Sequence, residues 1–288
     1  MVKNLTSQNV EVTLSCETLA VSRSGYYAWA DHPKSNRTID NQKLLGNIRQ
    51  IYDESRQTYG SPRITKKLNQ EGITCSENRV ARLMASNNII SSTVKQFKVK
   101  TTDSNHDLPI ADRLFQIESV QSTVLRPNQI WASDITYVRT GEGWLYLAIF
   151  LDIFTRKIVG HATADHMKTA LVLEALDMAL GRQNISQANI ITHSDRGSQY
   201  AAQVYRDQLT ANGLQASMSR KGNCYDNAFA ESFFHTLKME LIYQRRFNTK
   251  LEAKQAIFEF IEVFYNRQRI HSSLGFKTPM EYELSFAA

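Results

Sequence analysis

Three carboxylates in this chain stand where chemistry on a phosphodiester would need them. Asp134 lies inside the run WASDITYV, Asp195 ends the run ITHSD, and Glu231 lies in ESFFHTLK with Lys238 seven positions further on. Moving a phosphodiester takes an activated oxygen nucleophile and a stabilised leaving oxygen, and a pair of Mg²⁺ ions about 3.5–4 Å apart supplies both. Mg²⁺ takes hard oxygen ligands and keeps several waters, so a few carboxylates on rigid elements are enough to hold it. Without a cation the three charges repel, and at least one carboxyl resists ionisation. Asp134, Asp195 and Glu231 are therefore read as a candidate catalytic and metal-binding set acting on DNA.

The elements that must position these acids are legible in the flanking residues. QIWASDITYV, WLYLAIFLDIF and KIVGHATA read as three strands, with Gly141–Gly143 and Phe154-Thr155-Arg156 at the turns, an antiparallel meander. A helix follows over Lys168–Leu180, then a short buried strand ANIITHSD, a helix over Gln199–Asn212, a strand LQASMS and a helix over Asp226–Tyr243. That order gives an α/β, RNase H-like core over residues 126–245, a mixed five-stranded sheet flanked by helices. On the last helix Asn227, Glu231, His235 and Lys238 share one face, while Phe229, Phe233 and Leu237 lie roughly opposite and would bury against the sheet. Lys238 then projects beside the acid, where a cation could hold a phosphate.

Upstream, residues 1–35 form a small helical segment in which Tyr26, Tyr27 and Trp29 follow a Ser-Arg-Ser-Gly turn; it reads equally as a DNA-contacting unit or as a packed hairpin. Residues 36–90 carry a helix from Thr38 to near Tyr59-Gly60, then two short helices around Gly72, the first opened by Ser61-Pro62 and the second capped by Ser76. This is a helix-turn-helix candidate with Val80, Leu83 and Met84 inward and Asn78, Arg79 and Arg82 outward; Arg63, Arg79 and Arg82 are candidate DNA contacts. A structural helical hairpin has the same pattern. Residues 91–125 are a basic linker with Lys95, Lys98 and Lys100, a polar run and the helical-looking IADRLFQIESV. Residues 246–288 form a helical C-terminal extension with Ala253, Ile257, Phe260, Ile261 and Phe264 at core spacing.

Bulk properties narrow the function class. The 288 residues are 42% hydrophobic and 22% charged, ordinary for a folded protein, and the net charge of +6 suits a polyanionic partner. Cys16, Cys75 and Cys224 are far apart and none belongs to a CxxC pair, which excludes a disulfide framework and a cysteine-histidine zinc module. The longest apolar run, Leu145–Leu151, is far shorter than the ~20 residues of a membrane helix, and no charged-then-apolar leader is visible, so no membrane association and a cytoplasmic, nucleoid-associated location are expected.

Asp134, Asp195, Glu231 and Lys238 resemble the DDE pattern, with its basic residue seven after the Glu, of bacterial transposases and retroviral integrases. SGYYAW, YGSPRI, WASDITY, LDIFTRKIVG, HSDRGSQY, SRKGNCYDNAFAESFF and YNRQRIHSSLG, in this order over nearly the whole chain, are similar to the OrfB product of the IS-three insertion-sequence family. The resemblance implies an Mg²⁺-dependent transposase, two ions with Mn²⁺ able to substitute, that cleaves at the ends of an insertion sequence and drives the freed 3′-hydroxyl into a second phosphodiester. It implies double-stranded DNA, ends and target, as partner, a homo-oligomer on DNA, and a first-frame protein (OrfA, or an OrfAB fusion). The retroviral His/His/Cys/Cys zinc set has no counterpart here; helical elements take its place. No heptad array opens the chain, so recognition of the ends is expected to draw on the first-frame protein. The rival functions are a non-catalytic DNA-binding competitor and an RNase H-like nuclease without strand joining.

Several other residues complete the expectations. Asp152 reads as a structural turn or an ion pair with Arg156 rather than a ligand, His193 as packing, and Gly197 as the residue permitting a tight turn. Arg220 and Lys221, in a Gly-containing loop before the Glu231 helix, and Asn227 and Lys238 on it, are candidate DNA contacts, whereas Cys224 has no assigned role. Tyr265, Arg269 and His271 fall in the tail motif, with DNA-backbone contact and local packing both open.

Overall fold

A computed structural model of the chain describes residues 1–8, 10–31, 35–92, 111–114, 124–183, 189–219 and 227–286. At its centre is a five-stranded sheet: β1 (Ile130–Thr140), β2 (Gly143–Asp152), β3 (Ile158–Ala164), β4 (Ile191–Ser194) and β5 (Gln215–Met218), in spatial order β3-β2-β1-β4-β5. The first three strands form the antiparallel meander, and β4 and β5 run parallel to β1. Parallel neighbours need crossover helices, which lie between them in the chain.

Alternation along β2 explains the two cores. Leu145, Leu147, Ile149 and Leu151 enter one apolar cluster, Ala148 and Phe150 the other. The second face is covered by the helix Thr169–Arg182 through Leu171, Val172, Ala175, Leu176 and Ala179. Helix and sheet approach so closely there that a Cβ on Gly160 of β3 would stand 2.2 Å from the Ala175 carbonyl oxygen. The first face is covered by the helix Ala228–Glu240, here called the acid helix, and by the C-terminal segment. Burying Phe233, Phe234 and Leu237 contributes roughly 1.5–3 kcal/mol each. That fixes the rotation of the acid helix, and so the directions in which its acids lie.

The amino-terminal region holds short helices Val2–Thr6, Val12–Thr18 and Arg23–Ala30, then Asn36–Glu54, Ser61–Gln70 and Glu77–Ser86. The last three close around Leu44, Ile48, Ile51, Ile64, Leu68, Val80 and Met84. Ser76 caps as expected, its Oγ accepting from the Arg79 N–H, and Gly72 turns the chain with φ of +82°.

Four expectations about boundaries are corrected. The helix from Asn36 ends at Glu54, short of Tyr59, because Arg56 and Gln57 both take left-handed φ angles. The helix expected over Gln199–Asn212 is two, Ser198–Ala201 and Gln203–Ala211, broken by the extended Ala202. The acid helix stops at Glu240, and Ile242–Gln244 form a 3₁₀ turn. Ala111–Leu114, expected as helix, run without regular structure, with the Leu114 N–H donating to Ser217 Oγ at 3.0 Å; most of the expected linker lies outside the described residues.

The carboxyl-terminal segment runs as a helix Lys250–Glu259, a π-helical turn Phe260–Tyr265, a 3₁₀ turn Ser272–Leu274 and a capped helix Pro279–Leu284. Asn266 pins it to the edge strand β3 with a pair of hydrogen bonds to the Ile158 backbone, both 3.0 Å. Its Ile270 completes the core of the helical unit, and the Ile270 N–H donates to Tyr59 Oη at 2.9 Å. The tail thereby joins the amino-terminal helices to the sheet. Among the described residues no helix is long and apolar enough to cross a membrane.

Candidate active site

Register brings two of the acids together. β1 pairs with β4 in parallel, Ile130 opposite Ile191 and Ala132 opposite His193; two residues further along the same register, Asp134 comes opposite Asp195. Adjacent strands are about 4.8 Å apart, so the two carboxylates are neighbours. Asp195 lies one residue beyond β4, and its Oδ1 accepts from the Gly197 N–H at 2.9 Å. Gly197 has an ordinary φ of −61°, so the expected turn does not need a left-handed residue. A Cβ there would stand 3.0 Å from Asp195 Oδ1 and 2.9 Å from Gln199 Oε1, so a larger residue would have to displace the ends of these side chains.

Strand parity brings in the third. Asp134 shares the parity of Ile130, Ala132 and Val138, whose side chains enter the core beneath the acid helix. Burial first, then the charge of Asp195, push the Asp134 carboxyl well above the usual range, and Glu231 adds to the push. The Ile135 N–H, 2.8 Å from Asp134 Oδ1, and Lys238 pull it back without offsetting the rise. Partial burial also raises the Glu231 carboxyl. Lys238 is half-buried with Nζ 5.7 Å from the Tyr137 ring centre; burial lowers its pKa and Asp134 opposes that. Asp134, Asp195, Glu231 and Lys238 are thus one electrostatic cluster with three acids and one base.

Beneath them is a residue that the sequence reading did not single out. Tyr200 is fully buried, and its hydroxyl lies 3.1 Å from Ser133 Oγ, which itself donates to the Ile149 carbonyl at 2.8 Å. Burial and then the charges of Asp134 and Asp195 keep this phenol protonated. Its place in HSDRGSQY, five residues after Asp195, was the available signal.

Among the described residues, no three Asp, Glu, His or Cys side chains are drawn into a closed ligand set. The donor chemistry nonetheless fits a hard divalent ion: three carboxylates, two of them raised in pKa, at a junction where added positive charge relieves repulsion. Asn227, at the start of the acid helix, adds an acceptor: among the described residues its buried Oδ1 has no hydrogen-bond partner, and its amide makes a long 3.5 Å contact to the Ser133 carbonyl. Asn227, expected as a DNA contact, is buried.

The remaining candidates separate clearly. Asp152 is a turn residue: its Oδ2 accepts from the Thr155 N–H at 3.1 Å and the Thr155 hydroxyl at 2.6 Å, and burial raises it to about 6. The Arg156 guanidinium stacks on Phe229 at 4.0 Å rather than closing an ion pair with Asp152. His193 is fully buried between Ser217 Oγ at 2.9 Å and Ser219 Oγ at 3.2 Å, a packing role. Asn78 and Arg82 are exposed on the helix Glu77–Ser86, whereas Arg79 Nε donates to Asn41 at 2.9 Å. Arg220, Lys221 and Cys224 lie outside the described residues.

Tyr265 and Arg269 are buried, and packing displaces the DNA contact considered for them. Arg269 makes two hydrogen bonds to Glu240, 2.7 and 2.8 Å, with Arg63 3.8 Å from the same carboxylate and His271 3.3 Å from Arg269. Burial, then the charges of Arg269, Arg63 and Arg156, lower His271 to about 2, so it is neutral. These groups join the tail to the helical unit.

Comparison with known proteins identifies the family of the chain. Two integrase core domain models match residues 125–224 and 212–279, and an HTH-like domain model matches residues 39–97. A 31 kDa uncharacterized protein of insertion element IS600 from Shigella sonnei is 45% identical over 267 residues, covering 93% of this chain and 96% of the relative. The transposase InsF of insertion sequence IS3A from Escherichia coli strain K12 is 37% identical over 270 residues, covering 93% and 92%. Among solved structures, a simian T-cell lymphotropic virus intasome in complex with PP2A regulatory subunit B56 gamma aligns at 15% identity and a TM-score of 0.46, covering 76% of this chain and 70% of that one. By the near full-length identity to these insertion-sequence proteins, the chain belongs to the IS3 family of transposases, within the DDE transposase and integrase superfamily.

Proposed function

We propose that the chain is an Mg²⁺-dependent DDE transposase that cuts a DNA strand at the end of an insertion sequence and joins the freed 3′-hydroxyl to target DNA. The observation that carries this reading is the junction of Asp134, Asp195 and Glu231, where three acids crowd together with Lys238 as the cation that acts on Asp134 among the described residues. Asp134, Asp195 and Glu231 would hold two divalent ions, Mg²⁺ or in its place Mn²⁺. Bound there, the ions supply a deprotonated oxygen nucleophile and charge stabilisation at the leaving oxygen.

The chain's own residues do the rest. The sheet and the acid helix fix the three carboxylates, so little reorganisation is needed at the moment of reaction. Tyr200 and Ser133 close the floor of the site. Lys238 steadies a non-bridging phosphate oxygen. In the first step a water oxygen bonds to phosphorus as its proton leaves to solvent, the bond from phosphorus to the 3′ oxygen breaks, and that oxygen takes a proton from solvent to become the 3′-hydroxyl, leaving a 5′-phosphate across the nick. In the second step the 3′-hydroxyl is the nucleophile, the phosphodiester bond of the target breaks, and the number of phosphodiester bonds is conserved.

Asn78 and Arg82 on the amino-terminal helical unit would contact the DNA ends together with Arg220, Lys221 and a first-frame partner, and a homo-oligomer would hold two ends at once on the bacterial nucleoid. The test is incubation of the pure chain, with and without its first-frame partner, on labelled DNA carrying the element's ends. Cleaved and joined products with Mg²⁺, and neither with EDTA, are expected. Cleavage without joining would make the chain a nuclease, and binding without either would make it a competitor at the ends.

A further inference from the structure

Next to the acid cluster is a groove that the reaction above does not use. It has a volume of about 830 Å³ and lies between the turn end of the β1–β2 hairpin and the residues that follow the acid helix. Arg139, Lys238, Arg245 and Arg246 line it together with Trp144 and Tyr243, and among the described residues none that lines it is acidic. Trp144 is 47% exposed and Tyr243 49% exposed, which leaves two large ring faces in water beside four cations.

The groove is a built feature. Tyr137 packs edge-on to Trp144 with ring centres 4.9 Å apart, and Arg245 lies over Phe247 at 4.7 Å. Its far rim is pinned where the Gly141 N–H donates to the Phe247 carbonyl at 3.0 Å, and a Cβ on Gly141 would stand 2.4 Å from the Asn248 carbonyl oxygen. Its near wall is Lys238, the residue whose charge Asp134 feels. The groove therefore continues the site along the acid helix.

Cations with exposed aromatic faces are the chemistry of single-stranded nucleic acid, in which the cations follow the backbone and the rings stack on unpaired bases. The size points the same way: pockets of about 300–1,000 Å³ enclose ligands of small-molecule size. A duplex, broader than its own major groove of about 12 Å, does not fit into such a pocket. We propose that this groove binds an unpaired stretch of one or two nucleotides next to the phosphate held at the acids. The proposal rests on the DNA reading of the acid cluster, and it adds that the end is melted locally, with Trp144 and Tyr243 stacking on the released bases.

The test is fluorescence anisotropy of the full chain in EDTA with two labelled probes, oligo(dT) and a fully paired hairpin. Trp144→Ala and Tyr243→Leu are each expected to weaken oligo(dT) binding roughly 5- to 150-fold, the range of one lost base stack. Trp144→Phe should retain most of the affinity, and hairpin binding should hold in all three. Arg245→Glu should weaken oligo(dT) binding and flatten its salt dependence. Tyr243 is half exposed, so its variant tests the groove without opening a core, and thermal unfolding verifies the fold of each protein. Unchanged oligo(dT) affinity in folded Trp144→Ala and Tyr243→Leu would overturn the proposal, as would equal loss with the hairpin. Metal-dependent cleavage is scored separately: oligo(dT) binding without cleavage counts against the catalytic reading alone, and cleavage without oligo(dT) binding counts against the groove alone.

Discussion

Glu231 and Glu240 stand on the same helix, nine positions and two and a half turns apart, and therefore on opposite faces. Around Glu240 every charge has an answer: Arg269 forks onto it and Arg63 lies close by. Burial alone would lower the Arg269 pKa, but the hydrogen bonds and charge of Glu240 outweigh it and leave Arg269 raised. Around Glu231 the nearest acids reinforce one another, and burial with the charges of Asp195 and Glu231 pushes the Asp134 carboxyl well above its usual range. A cluster that satisfies itself is part of the fold, and one that leaves like charges together is waiting for a cation. The difference separates a structural acid, Glu240, from Glu231, the acid we propose to be catalytic, on a single helix.

The largest expected effect is on chemistry. Ions at such sites supply several kcal/mol of transition-state stabilisation, and each ~1.4 kcal/mol is tenfold in rate. Asp134→Asn, Asp195→Asn and Glu231→Gln should therefore each lower strand cleavage and joining by roughly a thousandfold or more, read on labelled end DNA, with circular dichroism unchanged. Glu240→Ala should do the reverse. It leaves Arg269 buried and unpaired, which costs about 3–5 kcal/mol and lowers Tm by about 10 °C; an unchanged melting curve would erase the distinction between the two acids.

Smaller effects sharpen the contrast. In EDTA, Asp134→Asn removes a buried carboxyl crowded by Asp195 and Glu231 while keeping an oxygen for the Ile135 N–H, so it should stabilise the fold by about 0.5–2 kcal/mol, seen as a higher denaturation midpoint. Glu262 offers a second satisfied acid. Burial works to raise it, yet hydrogen bonds from His161 and Arg182 hold it at about 2 instead of 4.5. A carboxyl with a depressed folded-state pKa stabilises above its unfolded value and loses that contribution as pH falls. The Tm advantage of the wild type over Glu262→Gln should therefore be complete above pH 4.5 and vanish as pH approaches about 2.

The sheet and the phase of the acid helix were legible in the sequence because each rests on local periodicity. Alternation in WLYLAIFL fixed β2, and the helical phase of Phe233 and Leu237 oriented Glu231 and Lys238. What was illegible depends on contacts between distant segments. Nothing near Arg269 in the chain says that its partner is Glu240, 29 residues earlier, so a basic tail looked like a DNA contact when it is a clamp. The same is true of Tyr59, which meets Ile270 across 211 positions. The burial of Asn227 was not legible, because helical phase gives the face of a residue but not its depth. The groove was hidden for the same reason, assembled from a hairpin turn and a segment about a hundred residues later.

Whether the acid cluster binds divalent ions is decided most directly by thermal unfolding of the full chain with saturating Mg²⁺ and with EDTA, in the wild type, Glu231→Gln and Glu240→Gln. Binding to the folded state at a hundred times Kd is worth about 2.7 kcal/mol. The account predicts that Mg²⁺ raises the Tm of the wild type and of Glu240→Gln by several degrees and leaves Glu231→Gln nearly unmoved. An equal Mg²⁺ shift in Glu231→Gln and the wild type would contradict it.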